Sequence, residues 1–272
     1  MNGVIYYYSN TGNTRLAMEY MAKRMQSVTF TLVDITVDPF ISPDTFDLAG
    51  FATYADFLSP PDLIRRFIRK LPHQNNKPAF IFNSYGNLNA GTLAHLHRCV
   101  GSRGFTIIAA HALQMPANNV PLRCMGIVNE QAPDTRQMER FDTFISNLDK
   151  LTATGGSVPQ ESVMLPLKER IWPSFPRWLG KWQMGPKFVD AAACTRCGLC
   201  ARGCPYGAIR MDDLPRFTEP KCAACWRCYN RCPTRAIYTR KYRGRGHYPA
   251  PLPAVREKLE FRTDATPEPD RS

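Results

Sequence analysis

The runs CTRCGLCARGCP, beginning at Cys194, and CAACWRCYNRCP, beginning at Cys222, constrain this chain more than any other feature. Both read C-x2-C-x2-C-x3-C-P, and each carries Ala-Ile at the same offset, Ala208-Ile209 and Ala236-Ile237. Eight of the ten cysteines fall in this stretch. A secreted disulfide scaffold would be much shorter and would follow a signal peptide, whereas this chain has 272 residues and opens on the strand-like MNGVIYYYSN. Metal ligation is the stronger reading. Zinc is disfavoured, because zinc ribbons use paired CxxC units rather than four cysteines followed by proline. Cys99 and Cys124 stand apart in mixed apolar surroundings and are expected to be core thiols.

The repeated run resembles the bacterial two-cluster ferredoxins, in which the fourth cysteine of each motif ligates the other cluster. Three cysteines at x2 intervals wrap three iron corners from one tight loop, and the pseudo-twofold partner supplies the fourth ligand. The resemblance implies that Cys194, Cys197, Cys200 and Cys232 hold one [4Fe–4S] cluster, and that Cys222, Cys225, Cys228 and Cys204 hold the other. Pro205 and Pro233 would turn the chain away after the crossing ligands. Trp226 and Arg227 are expected to pack and to shield the cluster from solvent, and the surrounding arginines to raise the cluster potentials.

Residues 1–152 alternate between strand-like and helical patterns. GVIYYYS is apolar almost throughout, as a parallel strand buried on both faces would be, and VTFTLVDI (28–35), FDLAGFAT (46–53), AFIFNSY (79–85) and FTIIAAHAL (105–113) follow. Helical patterns fill the gaps. One carries Leu16, Ala17, Met18, Tyr20, Met21 and Met25. Another is predicted with Ser59 as N-cap, Pro60 at N1 and Asp62 at N3, and a stripe of Leu63, Ile64, Phe67, Ile68 and Leu71. Two more cover about 91–101 and 134–151. The alternation predicts an α/β doubly wound parallel sheet.

Between the first strand and first helix lies SNTGNT, where Ser9, Thr11 and Thr14 supply hydroxyls, Gly12 permits a tight turn, and a helix N-terminus supplies amides. It lacks the lysine of a Walker A loop, and no GxGxxG is present. The loop is similar to the phosphate-binding loop of the flavodoxins, which implies strand order 2-1-3-4-5 and FMN at the carboxyl ends of the strands. On that resemblance Ser9, Asn10, Thr11, Gly12, Asn13 and Thr14 would hold the phosphate. Thr53 and Tyr54 from one loop, and Ser84, Tyr85, Gly86 and Asn87 from another, would bracket the ring. The latter loop has no carboxylate, so the flavin should be less strongly reducing than in flavodoxins.

The resulting organisation is a flavodoxin-like domain (1–152), a linker with a tryptophan-rich packing segment (153–188), a small α+β two-cluster ferredoxin domain (189–240), and a basic then polar tail (241–272) whose last ten residues are expected to be disordered. IWPSFPRWLGKWQMGP is too proline-rich to be expected as a regular element; packing is the default expectation for Trp172, Trp178 and Trp182, cofactor shielding the other reading. The chain resembles flavodoxin/ferredoxin fusions, which implies electron transfer between clusters, FMN and acidic-surfaced redox partners. A flavin-dependent reductase of a small molecule or corrinoid, and a redox-sensing binding protein, are the alternatives. Net charge is +12, and two clusters with their thiolates would lower it to about +8. Without a nucleic-acid motif the basicity is read as compensating the clusters. No run reaches the ~20 apolar residues of a membrane span, and a cytoplasmic location is expected.

Overall fold

Alternate residues of the first strand leave for opposite layers: Val4 and Tyr6 pack on one side of a sheet, Ile5 and Tyr7 on the other. The computed structural model describes residues 1–153 and 162–260. Strands β1 (Asn2–Tyr7), β2 (Thr29–Asp34), β3 (Leu48–Tyr54), β4 (Lys77–Tyr85) and β5 (Phe105–Gln114) are all parallel, in the order β2-β1-β3-β4-β5. That is the flavodoxin-like order, with its switch point between β1 and β3. Helices α1 (Asn13–Arg24), α2 (Asp62–Lys70), α3 (Thr92–Gly101), α4 (Val120–Cys124) and α5 (Thr135–Ala153) complete this half. α1 and α5 cover the Ile5 face, and α2 and α3 cover the Val4 face.

α2 departs from its predicted start. Ser59 does not cap it; the N-cap is Pro61, and the first helical residue is Asp62. Ser59 and Pro60 each precede a proline, and the ring of the following residue disfavours the helical region for both. Ser59 instead exchanges backbone hydrogen bonds with Asp56 across a tight turn. The predicted stripe survives, with Ile64 and Ile68 fully buried.

The second half contains α6 (Leu167–Arg170), α7 (Arg177–Met184), β6 (Lys187–Val189), α8 (Leu199–Arg202), β7 (Ile209–Met211), β8 (Pro215–Phe217), α9 (Arg227–Arg231), β9 (Ile237–Thr239) and α10 (Pro253–Leu259). β6 pairs antiparallel with β9, and β7 with β8. Two expectations need correction. The proline-rich segment does hold a regular element, since Pro176 is the N-cap of α7 and Gly185 its C-cap, so the breakers bracket the helix. Trp178 and Trp182 are 63% and 70% exposed and stand outside the hydrophobic cores. The tail forms α10, which returns to the sheet and buries Val255 and Leu259 against α1 and α5. The predicted linker residues 154–160 and the last ten residues of the tail lie outside the described residues. Residues 162–163 run beside β5, where Val163 N–H donates to Ile107 O (2.7 Å) and Ser162 Oγ accepts from Ile107 N–H (3.0 Å), covering the sheet edge.

Candidate functional site

The two cysteine runs fold as copies. Arg196 and Ala224, Gly198 and Trp226, and Gly207 and Arg235 occupy matching positions, and all six have positive φ, between 51° and 71°. The first two of each set curl the loop back between its cysteines, and Gly207 and Arg235 turn the chain just after the last one. Four of the six are not glycine and carry strain of order 1 kcal/mol each. Trp226 is held at φ 63° by burial (3% exposed) and by edge-on contacts with Tyr229 and Tyr242 at 5.5 and 5.4 Å.

The eight cysteines divide between two voids. Cys194, Cys197, Cys200 and Cys232 line one void, and Cys204, Cys222, Cys225 and Cys228 line another. No three His, Cys, Asp or Glu side chains among the described residues converge on a single-ion point. Backbone amides reach the sulfurs equivalently: Ala208 N–H donates to Cys204 Sγ and Ala236 N–H to Cys232 Sγ, both at 3.3 Å. Burial pushes the Cys225 thiol up to about 11 and raises Cys228 as well, whereas exposed Cys197 is lowered by the Leu199 amide. The Cys204 quartet is the interior one.

A cavity of about 360 Å³ opens at the carboxyl ends of the strands. Ser9, Asn10, Thr11, Asn13, Thr14, Tyr54, Ser84, Tyr85, Gly86 and Asn87 all line it. Gly12 and Thr53, also predicted, do not. Gly12 has φ 110°, and a Cβ there would lie 2.8 Å from Pro251 Cδ, so its contribution is the turn. Thr53 is buried and its carbonyl accepts from Thr14 Oγ1 (3.3 Å).

One end of the cavity has the chemistry of an anion cradle. Ser9 Oγ accepts from Gly12 N–H (3.2 Å) and Thr11 Oγ1 from Asn118 Nδ2 (2.9 Å), so both hydroxyl protons remain available to donate. Asn13 and Thr14 open α1, where first-turn amides have no intrahelical acceptor. Asn10 Oδ1 and Gln183 Oε1 line the cavity, buried and without a donor, which suits a ligand carrying its own N–H or O–H groups. Tyr54 and Tyr85 supply aromatic surface at the other end.

Several lining residues were not singled out in the sequence. Asp56, Phe57 and Leu58 follow β3; Met115 to Asn119 follow β5; Phe175 and Gln183 come from the α7 segment. Asp56 pairs with Arg177 of α7 at 2.6 Å. Burial pushes the Asp56 carboxyl up while the Arg177 guanidinium opposes that shift. Cys225 and Trp226 line the cavity from the far side, and both also line the void of the interior quartet. The two halves meet there through Asn10 Nδ2 to Cys225 O (2.6 Å), Arg227 Nη1 to Ser9 O (3.2 Å), Asn230 Nδ2 to Asn118 O (3.0 Å) and Tyr248 OH to Asn13 Oδ1 (2.8 Å). No spacing rule could have signalled contacts between residues so far apart in the chain.

The arginines near the cysteines are partly neutralised, Arg196 by Asp213 (2.8 Å) and Arg210 by Asp212 (3.1 Å). Arg227 is buried against the SNTGNT loop. His95 and His97 contact the carbonyls of Trp172 and Val163 and contribute to neither site.

Residues 193–237 match the family described as the 4Fe-4S dicluster domain. The chain is 41% identical over 69 residues to an archaeal-type glutamate synthase (NADPH) of Thermotoga maritima, over 23% of this chain and 14% of that one. It is 35% identical over 60 residues to the pyruvate synthase subunit PorD of Methanocaldococcus jannaschii, over 21% of this chain and 70% of that one. The chain thus spans only a small part of the glutamate synthase and over two thirds of the smaller relative. Among solved structures, oxidised flavodoxin 1 from Bacillus cereus aligns with 55% of this chain and 98% of its own, at 16% identity and a TM-score of 0.42. By its cysteine-rich region the chain belongs to the 4Fe-4S dicluster ferredoxins, here joined to a sheet of flavodoxin-like strand order.

Proposed function

We propose that the protein is an electron carrier relaying electrons between two [4Fe–4S] clusters and an FMN in the strand-end cavity, to or from redox partner proteins. One observation carries this reading: Cys225 and Trp226 form a shared wall between the interior quartet's void and that cavity. When bound, FMN exchanges one or two electrons and each cluster exchanges one. Cys204, Cys222, Cys225 and Cys228 would hold the inner cluster, and Cys194, Cys197, Cys200 and Cys232 the outer. Ser9, Thr11 and the first-turn amides of α1 would hold the phosphate, with Tyr54, Tyr85, Gly86 and Asn87 beside the ring.

Exposed Cys197 and Leu199 make the outer quartet the end a partner reaches. The arginines around the quartets favour a partner with an acidic surface, met in the cytoplasm. Among the described residues no helix is long and apolar enough to cross a membrane. Asp56 is the only carboxylate on the cavity wall among the described residues, and Arg177 offsets it, so the chain does little to oppose negative charge on the flavin.

The crossed pairing supplies the test. Anaerobically reconstituted protein should bind FMN and about eight iron atoms, and Cys204→Ala and Cys232→Ala should each retain about four. Cys232→Ala keeps the cluster beside the flavin, so flavin fluorescence stays quenched; Cys204→Ala removes it, so fluorescence rises. Failure to take up FMN, or the same flavin response in both variants, overturns the reading.

A further inference from the structure

The segment from Met164 to Trp182 carries large apolar side chains that stand in solvent. Leu167 is 68% exposed and Ile171 72%, and Phe175, Trp178 and Trp182 continue the surface. α7 fixes the last of these outward. Its inner face buries Gly180 and Met184, and Phe175 N–H donates to Phe57 O (3.4 Å), so Trp178 and Trp182, one turn apart, share the outer face with Lys181. An apolar surface of this extent marks a place of contact.

We propose that this face docks on an anionic lipid surface. The decisive feature is where its cations sit. Lys181 shares the outer face of α7 with Trp178 and Trp182, Lys241 reaches over the Trp182 ring, and Lys168 is exposed beside Leu167, so positive charge lies within the apolar run rather than ringing it. A protein partner covering the run would have to bury those lysines, and protein interface cores are depleted of lysine for that reason. At a bilayer the same arrangement is favourable. Apolar stems and indoles enter the headgroup region while ammonium and guanidinium groups reach back to lipid phosphates. Lys241 adds to the charge, its Nζ lying 4.5 Å from the centre of the Trp182 ring. The one acid within the run is Glu169, which neighbours Lys168 and is outnumbered by the cations around it. Indole N–H groups suit this depth, since tryptophan prefers the boundary between headgroups and acyl chains.

Phe175 also lines the strand-end cavity. Docking through this face would set the cavity mouth against the membrane while the outer cysteine quartet keeps its own exposed position.

The test is co-sedimentation of the full-length, metal-loaded protein with vesicles, comparing pure phosphatidylcholine with a mixture containing about one-third phosphatidylglycerol. The protein should pellet with the anionic vesicles, with a blue shift of tryptophan emission, and pellet far less with the neutral ones. Trp178→Ser/Trp182→Ser should lower the bound fraction roughly tenfold, and Lys168→Gln/Lys181→Gln or raised salt should lower it severalfold. All substituted side chains are exposed, so the visible absorption should stay at wild-type intensity; it serves as the folding control. No pelleting at millimolar lipid overturns the proposal, as does pelleting indifferent to the tryptophan pair. A dimer in sedimentation velocity that the tryptophan substitutions dissolve, with no lipid binding, overturns it in favour of a second copy of the chain.

Discussion

Phe57 and Leu58 hold φ of 50° and 64° at the two central positions of the Asp56–Ser59 turn, where glycine or asparagine ordinarily sits. The strain persists because the turn is clamped. Arg177 stacks over the Phe57 ring at 5.5 Å, and Gly180 passes so close that a Cβ there would come within 2.8 Å of it. Leu58 has no such clamp, so Leu58→Gly should change the melting temperature little, relief of about 1 kcal/mol offsetting the lost side chain. Phe57→Gly should lower stability by about 2–3 kcal/mol, because the ring is what α7 rests on. Thermal denaturation of the two variants side by side checks the contrast. The Asp56–Arg177 pair carries a pH dependence whose sign follows from burial. Burial raises the Asp56 carboxyl above its ordinary value, an effect the guanidinium resists. In Arg177→Met the main opposition is gone, and only Arg65 is left to resist burial. Well below about pH 4 the carboxyl is neutral in both folded and unfolded states, and the variant loses only the bond. As pH rises through the raised folded value, the folded state must carry an unpaired charge, and stability falls. The deficit relative to wild type should therefore widen toward neutral pH, to on the order of 2 kcal/mol. A series of melting curves from acid to neutral reads it.

The central strands were legible for a simple reason. β1, β3 and β4 are flanked on both faces, so their sequences are almost unbroken runs of apolar residues, and the alternation with helices did the rest. α7 was not legible, because its prolines look like interruptions until Pro176 is seen at the N-cap. α10 was missed for a different reason: only Val255 and Leu259 of it are buried, too few to show a period against the charged background of PAVREKL. Those two side chains nevertheless belong to the same core as Leu16 and Phe141. Leu259→Ala should then cost about 2–4 kcal/mol, a core-type penalty rather than the near-zero effect of a substitution in a loose tail. Urea denaturation followed by far-UV circular dichroism measures it. A second consequence separates packing from mere length. Val255→Ala/Leu259→Ala should accelerate proteolysis after Pro251 while leaving iron content unchanged, since both side chains sit in the sheet core and neither lines a cysteine void.

Across the molecule, the sequence exposed the parts of the site but not their meeting. The cysteine repeat marks a metal-binding stretch, its division into two quartets is what the resemblance to two-cluster ferredoxins implies, and SNTGNT alone marks a turn suited to an anion. That Cys225 lies against the loop holding Asn10 depends on a three-dimensional docking with no local signature, carried by Asn10, Asn118, Asn230 and Arg227. Asparagine suits this junction because one side chain offers both a donor and an acceptor. Asn230 uses both, giving Nδ2–H to Asn118 O and receiving Tyr248 N–H at Oδ1 (3.1 Å), and it is 1% exposed. It reaches neither the cavity nor the cysteine voids, so its removal tests docking without touching a ligand position. Asn230→Ala leaves one carbonyl and one amide buried without partners, a loss of about 1–3 kcal/mol at the junction. The loss falls at a junction where Val120 of the sheet half shares one cluster with Met184, Trp226 and Tyr229, so it should appear first as loosening between the sheet and the cysteine loops. The expected result is unchanged iron and flavin content with faster proteolytic cleavage between the halves. Flavin fluorescence should also rise, as Cys225 moves off the wall it shares with the cavity. Asn230→Asp retains only the acceptor and should fall between the two, and the order wild type, Asp, Ala in both cleavage rate and fluorescence would tie the spacing of the redox sites to this one side chain.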